Sequence, residues 1–450
     1  MNNFAVTLLT VLAIGIMVLP RRWAPVPLLI GACYMTNAQS LNLGPFHFTV
    51  LRVLVLLGFI RAATRGEYLP GGLKGMDKML IGWAILMVCS SVFHKPFGPS
   101  LVNRLGNTYN VLGIYFLIRK FCRTTDDMIQ IIKILAFVLV PVSLEMINEK
   151  ITHRNFFGFL GGVPMEVMIR DDKFRAQGPF GHPILAGTVG GLCIPFMIGI
   201  WRYARISSAI GVCACLGMVV ASASSGPIMS VLISVFALML WPWRRFVPKM
   251  RIAAVVFYIA ADIVMTRPAY FLLERIDLTG SSTGYHRAAI IEAGVIHLRE
   301  WIIGGTDYTR HWMPYGVSWS EDHCDITNHY LFYGVDGGLL VMLLFIAIVA
   351  VGFRYIHQSL KVCVNAPVRE QFLIWAVGAN LFAHAATMIS VAYFDQSVMF
   401  LYLNLAVIGS LHATTMAQNP NAPDPKPAEP PSLRRPLVTP VRGTPRTSPV

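Results

Sequence analysis

Residues 337–353 read GGLLVMLLFIAIVAVGF, with Asp336 before them, Arg354 after them and no charge between. With the lead-in from Asn328 they form a stretch, 328–353, long enough as a helix to cross a bilayer. A hydrocarbon core of about 30 Å takes about 20 mainly apolar residues. The pattern recurs along the chain. Thirteen candidate spans are expected, at 3–20, 24–37, 49–63, 78–94, 101–119, 128–146, 183–201, 206–222, 226–243, 250–266, 328–353, 371–389 and 394–412, within a range of 12 to 14. The first has no basic residue ahead of it and no small-residue cleavage site. Arg21 and Arg22 follow it, so it reads as a span rather than a secretion signal.

Composition agrees. Charged residues make up 13% of the 450, against about 25% in soluble globular chains. Mean hydropathy is +0.58. A disordered chain needs the opposite balance. The expected fold is therefore an all-α polytopic membrane protein, with a transmembrane helical domain over 1–416. The segment 417–450 carries ten prolines and no apolar periodicity, so it reads as a disordered, Pro-rich cytoplasmic tail.

The few charges orient the chain. Basic residues follow spans 1, 3, 5, 7, 9 and 11: Arg21 and Arg22, Arg61 and Arg65, Arg119 and Lys120, Arg202 and Arg205, Arg244 and Arg245, Arg354 and Lys361. The short alternate loops 38–48, 221–226 and 390–393 contain no Lys or Arg. By the positive-inside rule the N-terminus lies outside and the C-terminus in the cytoplasm. The net charge of +14 is then topology signal plus tail. No basic stripe with interleaved aromatics stands on a soluble domain, so nucleic acid is not an expected partner.

Two outer loops are long, 147–182 and 267–327. Polar residues retained there are the functional candidates. The first loop ends FRAQGPFGHP, 174–183. The planar fork of Arg175 suits a phosphate or diphosphate; a guanidinium snorkelling at a helix end is the other account. His182 is either a site residue or a cap of the turn. The second loop opens GSSTGYHR, 280–287, continues through a helical stretch 288–301 to Gly304-Gly305, and closes EDHCDITNHYL, 321–331. His323, Asp325 and His329 in that last run suit acid/base work or metal binding, or an ordinary hydrated loop. Arg52 and Arg104, in the outer parts of spans 3 and 5, either line an outward cavity or snorkel. Glu145 is expected to pair with an arginine. His384 with Asn380 is expected to form an interhelical hydrogen bond. Trp301, Tyr308, Trp312, Tyr315 and Trp319 suit sugar stacking or the membrane interface.

In order along the chain these segments resemble the bacterial O-antigen ligase and O-antigen polymerase superfamily, membrane glycosyltransferases acting on lipid-linked glycans. The matching residues are Arg175, Gly178, Phe180, Gly181, His182 and Pro183, then Ser224-Ser225-Gly226, then Arg287, Gly304, Gly305, Asn328, Tyr330, Leu331 and the Gly337-Gly338 pair. The motifs cover roughly 170–350. Two positions depart from the family pattern. Thr327 stands where a His often precedes the Asn, and Ser225 stands where the turn often has Arg.

The resemblance implies transfer of a glycan from a polyprenyl diphosphate-linked donor to an acceptor sugar hydroxyl on the periplasmic face of the inner membrane. The acceptor is another lipid-linked glycan or a lipid A-core. Arg175 and Arg287 are the expected diphosphate clamp, with His182, Arg52, Arg104, Asn328 and Tyr330 as further substrate-binding residues. His329, placed at the mouth of span 11, is the first choice of base, followed by Asp325 and His323. No cofactor and no catalytic metal are expected. Polysaccharide assembly proteins and membrane lipids are the expected partners. A glycolipid flippase, or a non-catalytic component of a polysaccharide export complex, is the alternative function.

Overall fold

The computed structural model describes residues 1–275, 283–312 and 320–418. The expected tail from 419 on, and Tyr315 and Trp319, lie outside these. The described chain is mainly helical. It begins with α1 (Asn3–Val18) and α2 (Pro25–Tyr34), then a hairpin of β1 (Ser40–Leu43) and β2 (Phe46–Thr49). Next come α3 (Val50–Thr64), α4 (Gly75–Cys89), α5 (Phe97–Phe121) and α6 (Thr125–Thr152). A second small hairpin, β3 (Met168–Arg170) with β4 (Lys173–Arg175), precedes α7 (Pro183–Gly199), α8 (Arg205–Ser222), α9 (Ser225–Met239) and α10 (Val247–Val264). The long outer loop contains α11 (Leu272–Arg275), α12 (Thr283–Ile296) and α13 (Leu298–Trp301). The chain then finishes with α14 (His329–Gly337), α15 (Leu339–Val362), α16 (Val368–Thr387) and α17 (Val398–Ala417).

Each of the thirteen expected stretches holds a helix, and the eleventh holds two. Among the described residues, five helices are long and apolar enough to cross a membrane: Gly75–Phe93, Thr125–Thr152, Arg205–Ser222, Leu339–Asn365 and Val398–Ala417. The number rises to six if α9 and the segment Trp241–Val264, bent by 72° from it, form one span. The stretch 328–353 is broken because Gly338 takes φ +91°, which ends α14 and starts α15 at a new angle. A Cβ there would sit 2.6 Å from the Ile303 carbonyl, so glycine meets both the backbone and the packing demand.

Helix starts follow ordinary capping chemistry. Thr124 and Asp127 cap α6 reciprocally, each side chain accepting the other's backbone N–H at 3.1 Å. Asn328 Oδ1 accepts from Leu331 N at 3.0 Å to start α14. Packing centres on two helices buried almost all round, as expected of apolar helices inside a bundle. α17 lies against α5, α15 and α16; α7 lies against α8, α9 and α16. At Gly191 of α7 a Cβ would fall 1.9 Å from Ser230 Oγ, so the bare backbone lets α9 approach. Asn380 ties α16 to both central helices: its Nδ2 donates to Leu192 O at 2.8 Å and its Oδ1 accepts from Asn404 at 2.6 Å.

The two ends of the bundle differ in chemistry. At one end Arg21 pairs with Asp127 at 2.7 Å, Arg61 with Glu67 at 3.0 Å and Arg119 with Asp77. Lys120 donates to Glu67 O, Arg65 to Met17 O and Thr414 to Arg123 O. At the other end the hairpin β1–β2, the loop after α6 and the loop before α17 gather. Asn2 N donates to Gln39, and Gln39 reaches Leu160 O.

Candidate functional site

The segment 175–183 is fixed residue by residue at that second end. Ala176 N donates to Ala221 O at 3.1 Å. Gln177 N and Gly178 N both donate to Glu149 Oε2, at 3.0 and 2.8 Å, and Asn155 Nδ2 donates to Gly178 O at 2.8 Å. Gln396 reaches Pro179 O at 2.6 Å, and Gly181 N donates to Asp395 Oδ2 at 2.6 Å. Phe180 is fully buried. His182 then caps α7, its Nδ1 accepting from Ile184 N at 3.1 Å, with Pro183 in the first helical position. Burial, with Arg175 and Arg170 nearby, pushes the His182 pKa from 6.5 down to about 4, so the ring is neutral and able to accept.

Arg175 is the side chain this scaffold presents. It is 5% exposed. Its Nε and Nη2 donate to Ser224 Oγ at 3.1 and 2.6 Å, and that hydroxyl donates onward to Ser222 O. The Ser222–Ser224 turn is tight because Ala223 sits in the left-handed region at φ +44°. Three other arginines are as deeply buried, and each has a carboxylate: Arg61 on Glu67, Arg104 on Asp336, Arg119 on Asp77. Among the described residues Arg175 has none within ion-pair distance; Ser224 is neutral. Burial, and then Arg170, push its pKa down while Asp171, beyond ion-pair distance, opposes the fall, yet a guanidinium keeps its proton. The site is a buried cation with no carboxylate in direct contact among the described residues, beside a neutral imidazole.

The second motif meets the first around the linker 388–397. At one end of the linker His329 N donates to Met388 O at 2.8 Å and Asn328 Nδ2 donates to Ile389 O at 3.1 Å. At the other end are the contacts of Asp395 and Gln396 with 179–181. Tyr393 and Phe394 lie between the two histidines: ring centroids are 5.0 Å apart for His329–Tyr393 and 6.5 Å for His182–Phe394. Tyr330 donates to Ala385 O at 2.9 Å, so it seats α14 on α16 while Asn328 ties it to the linker.

His329 does not lie at an open mouth as expected. It is 0% exposed, its Nδ1 accepts from Tyr393 N at 3.2 Å, and Phe332, Tyr333, Phe345 and Tyr393 surround it. His384 is buried beside it, 3.3 Å from Tyr393 Oη. Asp325 stays half-exposed; His286, which precedes Arg287 on α12, approaches its backbone carbonyl at 3.0 Å. Burial raises the Asp325 carboxyl pKa, and His286 opposes the rise. His323 is half-buried, 3.4 Å from Thr309 Oγ1.

The remaining candidates have other partners. Arg104 pairs with Asp336 at 2.9 Å. Arg52 donates to His47 O in the hairpin and lies against Gly106. Glu145 accepts from Phe156 N at 2.7 Å instead of pairing with an arginine, because the helix α6 ends where the loop folds back. Trp301 is buried and donates to Gly294 O at 2.9 Å. A polar cluster that the sequence reading missed lies beside Arg104. His94 meets Asp307 and, at 2.8 Å, Gly304 O, while Lys95 N donates to Asp307 at 2.8 Å. No motif flags His94, Asp307 or Asp336; only the Gly304-Gly305 step beside them was visible.

No family model matches this chain, and no curated protein matches it at a significant level of similarity.

Proposed function

We propose that the protein is a membrane glycosyltransferase that moves a glycan from a polyprenyl diphosphate to an acceptor sugar hydroxyl. Arg175 carries the proposal: a buried guanidinium with no carboxylate within ion-pair distance among the described residues, at the rim of an apolar bundle, calls for an anion from outside the chain. A diphosphate at headgroup depth, with its isoprenoid in lipid, supplies that anion. In the reaction the acceptor oxygen forms a bond to the anomeric carbon. The bond from that carbon to the diphosphate oxygen breaks, and the electron pair leaves with the diphosphate. Arg175, with Arg287 from the outer loop, meets the charge as it develops. Asp325 takes the hydroxyl proton, since it is reachable and its raised pKa brings it nearer neutrality. His329, closed among aromatic rings, holds the linker instead.

In the same proposal the chain crosses the bacterial inner membrane thirteen times, with the basic end in the cytoplasm and the Arg175 end outside. The alternation of basic turns in sequence and their gathering at one end of the bundle support this orientation. Acceptors are a second lipid-linked glycan or a lipid A-core. The test is reconstitution in proteoliposomes with a polyprenyl diphosphate-oligosaccharide and each acceptor in turn. Lengthened glycan or glycosylated lipid A-core should appear with equimolar free polyprenyl diphosphate. Passage of intact donor across the bilayer with neither product would mark a flippase and end the proposal.

A further inference from the structure

Away from Arg175, the outer loop gathers three metal-ligating side chains. His297 and Glu300 are three residues apart around α13, and the turn Arg310–Trp312 swings His311 back to them. Glu300 Oε1 lies 2.7 Å from His297 Nδ1 and 3.1 Å from His311 Nε2. One ligand atom from each residue lies within 4.8 Å of the others. The supporting contacts restrict all three. Trp312 Nε1 donates to Glu300 Oε2 at 2.9 Å. His297 stacks on Trp312 with centroids 5.5 Å apart and planes 8° apart, and His311 stacks on Tyr308 with the same values.

The geometry points to a divalent transition-metal site of the zinc class, formed by His297, Glu300 and His311, that closes the loop 297–312. Two imidazole nitrogens and one carboxylate oxygen are a recurrent zinc donor set, with a fourth position left to water. Tetrahedral bonds of about 2.0–2.1 Å place ligand atoms about 3.3 Å apart, so His311 is already near that spacing from Glu300 and His297 needs to move out by about half an ångström. Trp312 fixes the carboxylate in the way outer partners orient metal ligands.

The loop so closed has a structural task. Between α13 and the turn it passes Gly304-Gly305, where Thr306 N donates to Val335 O at 2.9 Å and Leu339 N to Ile302 O at 3.0 Å. It also carries Asp307 to His94. A metal at 297–311 therefore ties down the loop that buttresses the α14–α15 break. It lies outside the proposed transfer chemistry and does not depend on it.

The test uses the full-length protein in detergent, purified through a tag free of histidine and stripped with a chelator. Zinc chloride is titrated by calorimetry, and cobalt chloride by its visible absorption. One equivalent per chain is expected, with the absorption of a low-coordinate cobalt site. His297→Ala and His311→Ala should each abolish it, Glu300→Gln should weaken it, and Trp312→Phe should cost about 10- to 100-fold in affinity. His357→Ala, an exposed histidine on α15, should change nothing. Absence of a stoichiometric site in the unaltered protein overturns the inference without any variant. An equivalent that persists in the His297→Ala, His311→Ala double variant overturns it too.

Discussion

His182 shows how one residue serves both the scaffold and the site. Its Nδ1 caps α7 while the ring lies beside Arg175, and both arrangements require the neutral form. The unfolded chain binds this proton near pH 6.5, the folded one near pH 4. Below 6.5 the unfolded state therefore holds more protons, so the stabilisation is complete above about pH 6.5 and lost as pH falls toward 4. His182→Asn keeps a capping oxygen but does not titrate. Its melting temperature should fall less steeply than that of the unaltered protein between pH 6.5 and 4; parallel slopes would show that the ring is not held neutral. Arg175 and His182 were legible in the sequence as a motif before a span. That Arg175 has no carboxylate within ion-pair distance among the described residues was not, because pairings such as Arg104 with Asp336, 232 residues away, are made only by folding.

Helix positions are the most legible level, and 337–353 shows why. An uninterrupted apolar run satisfies its backbone only as a helix once it leaves water. The break at Gly338 was visible as a glycine pair but not as a change of direction, since that depends on Ile303 approaching from the outer loop. His329 was expected at an open mouth and is found enclosed, because Phe345 of α15 and Tyr393 of the linker close over it. Close approach between α7 and α9 is a further element-level claim. Gly191→Ala places a Cβ 1.9 Å from Ser230 Oγ and 3.1 Å from Pro227 O. It should cost about 1–3 kcal/mol, the range for overpacking, read as a lower unfolding temperature in detergent. Gly98→Ala on α5 meets nothing within 4 Å and should leave that temperature unchanged or slightly raised, since Ala is the better helix former; an equal loss at both positions would contradict the packing account.

At the scale of the whole molecule, the linker 388–397 joins segments that lie about 150 residues apart in sequence, and the basic turns gather at the opposite end. Short loops without a motif did this work, so the convergence could not be read from the chain alone. The proposed orientation makes an accessibility prediction. A cysteine introduced at Asn42, in the first hairpin, should react with an impermeant thiol reagent in intact cells above the parent background. One at Arg65 should react only after the membrane is opened, and the reverse pattern would invert the proposed topology. The central claim is that Arg175 awaits a diphosphate leaving group. Its most direct test is turnover of a polyprenyl diphosphate-oligosaccharide by reconstituted Arg175→Ala protein beside the unaltered protein. The account predicts a loss of about 100- to 1000-fold, typical of removing one charge-stabilising donor, with the unfolding temperature retained. Equal turnover by the two proteins would contradict it.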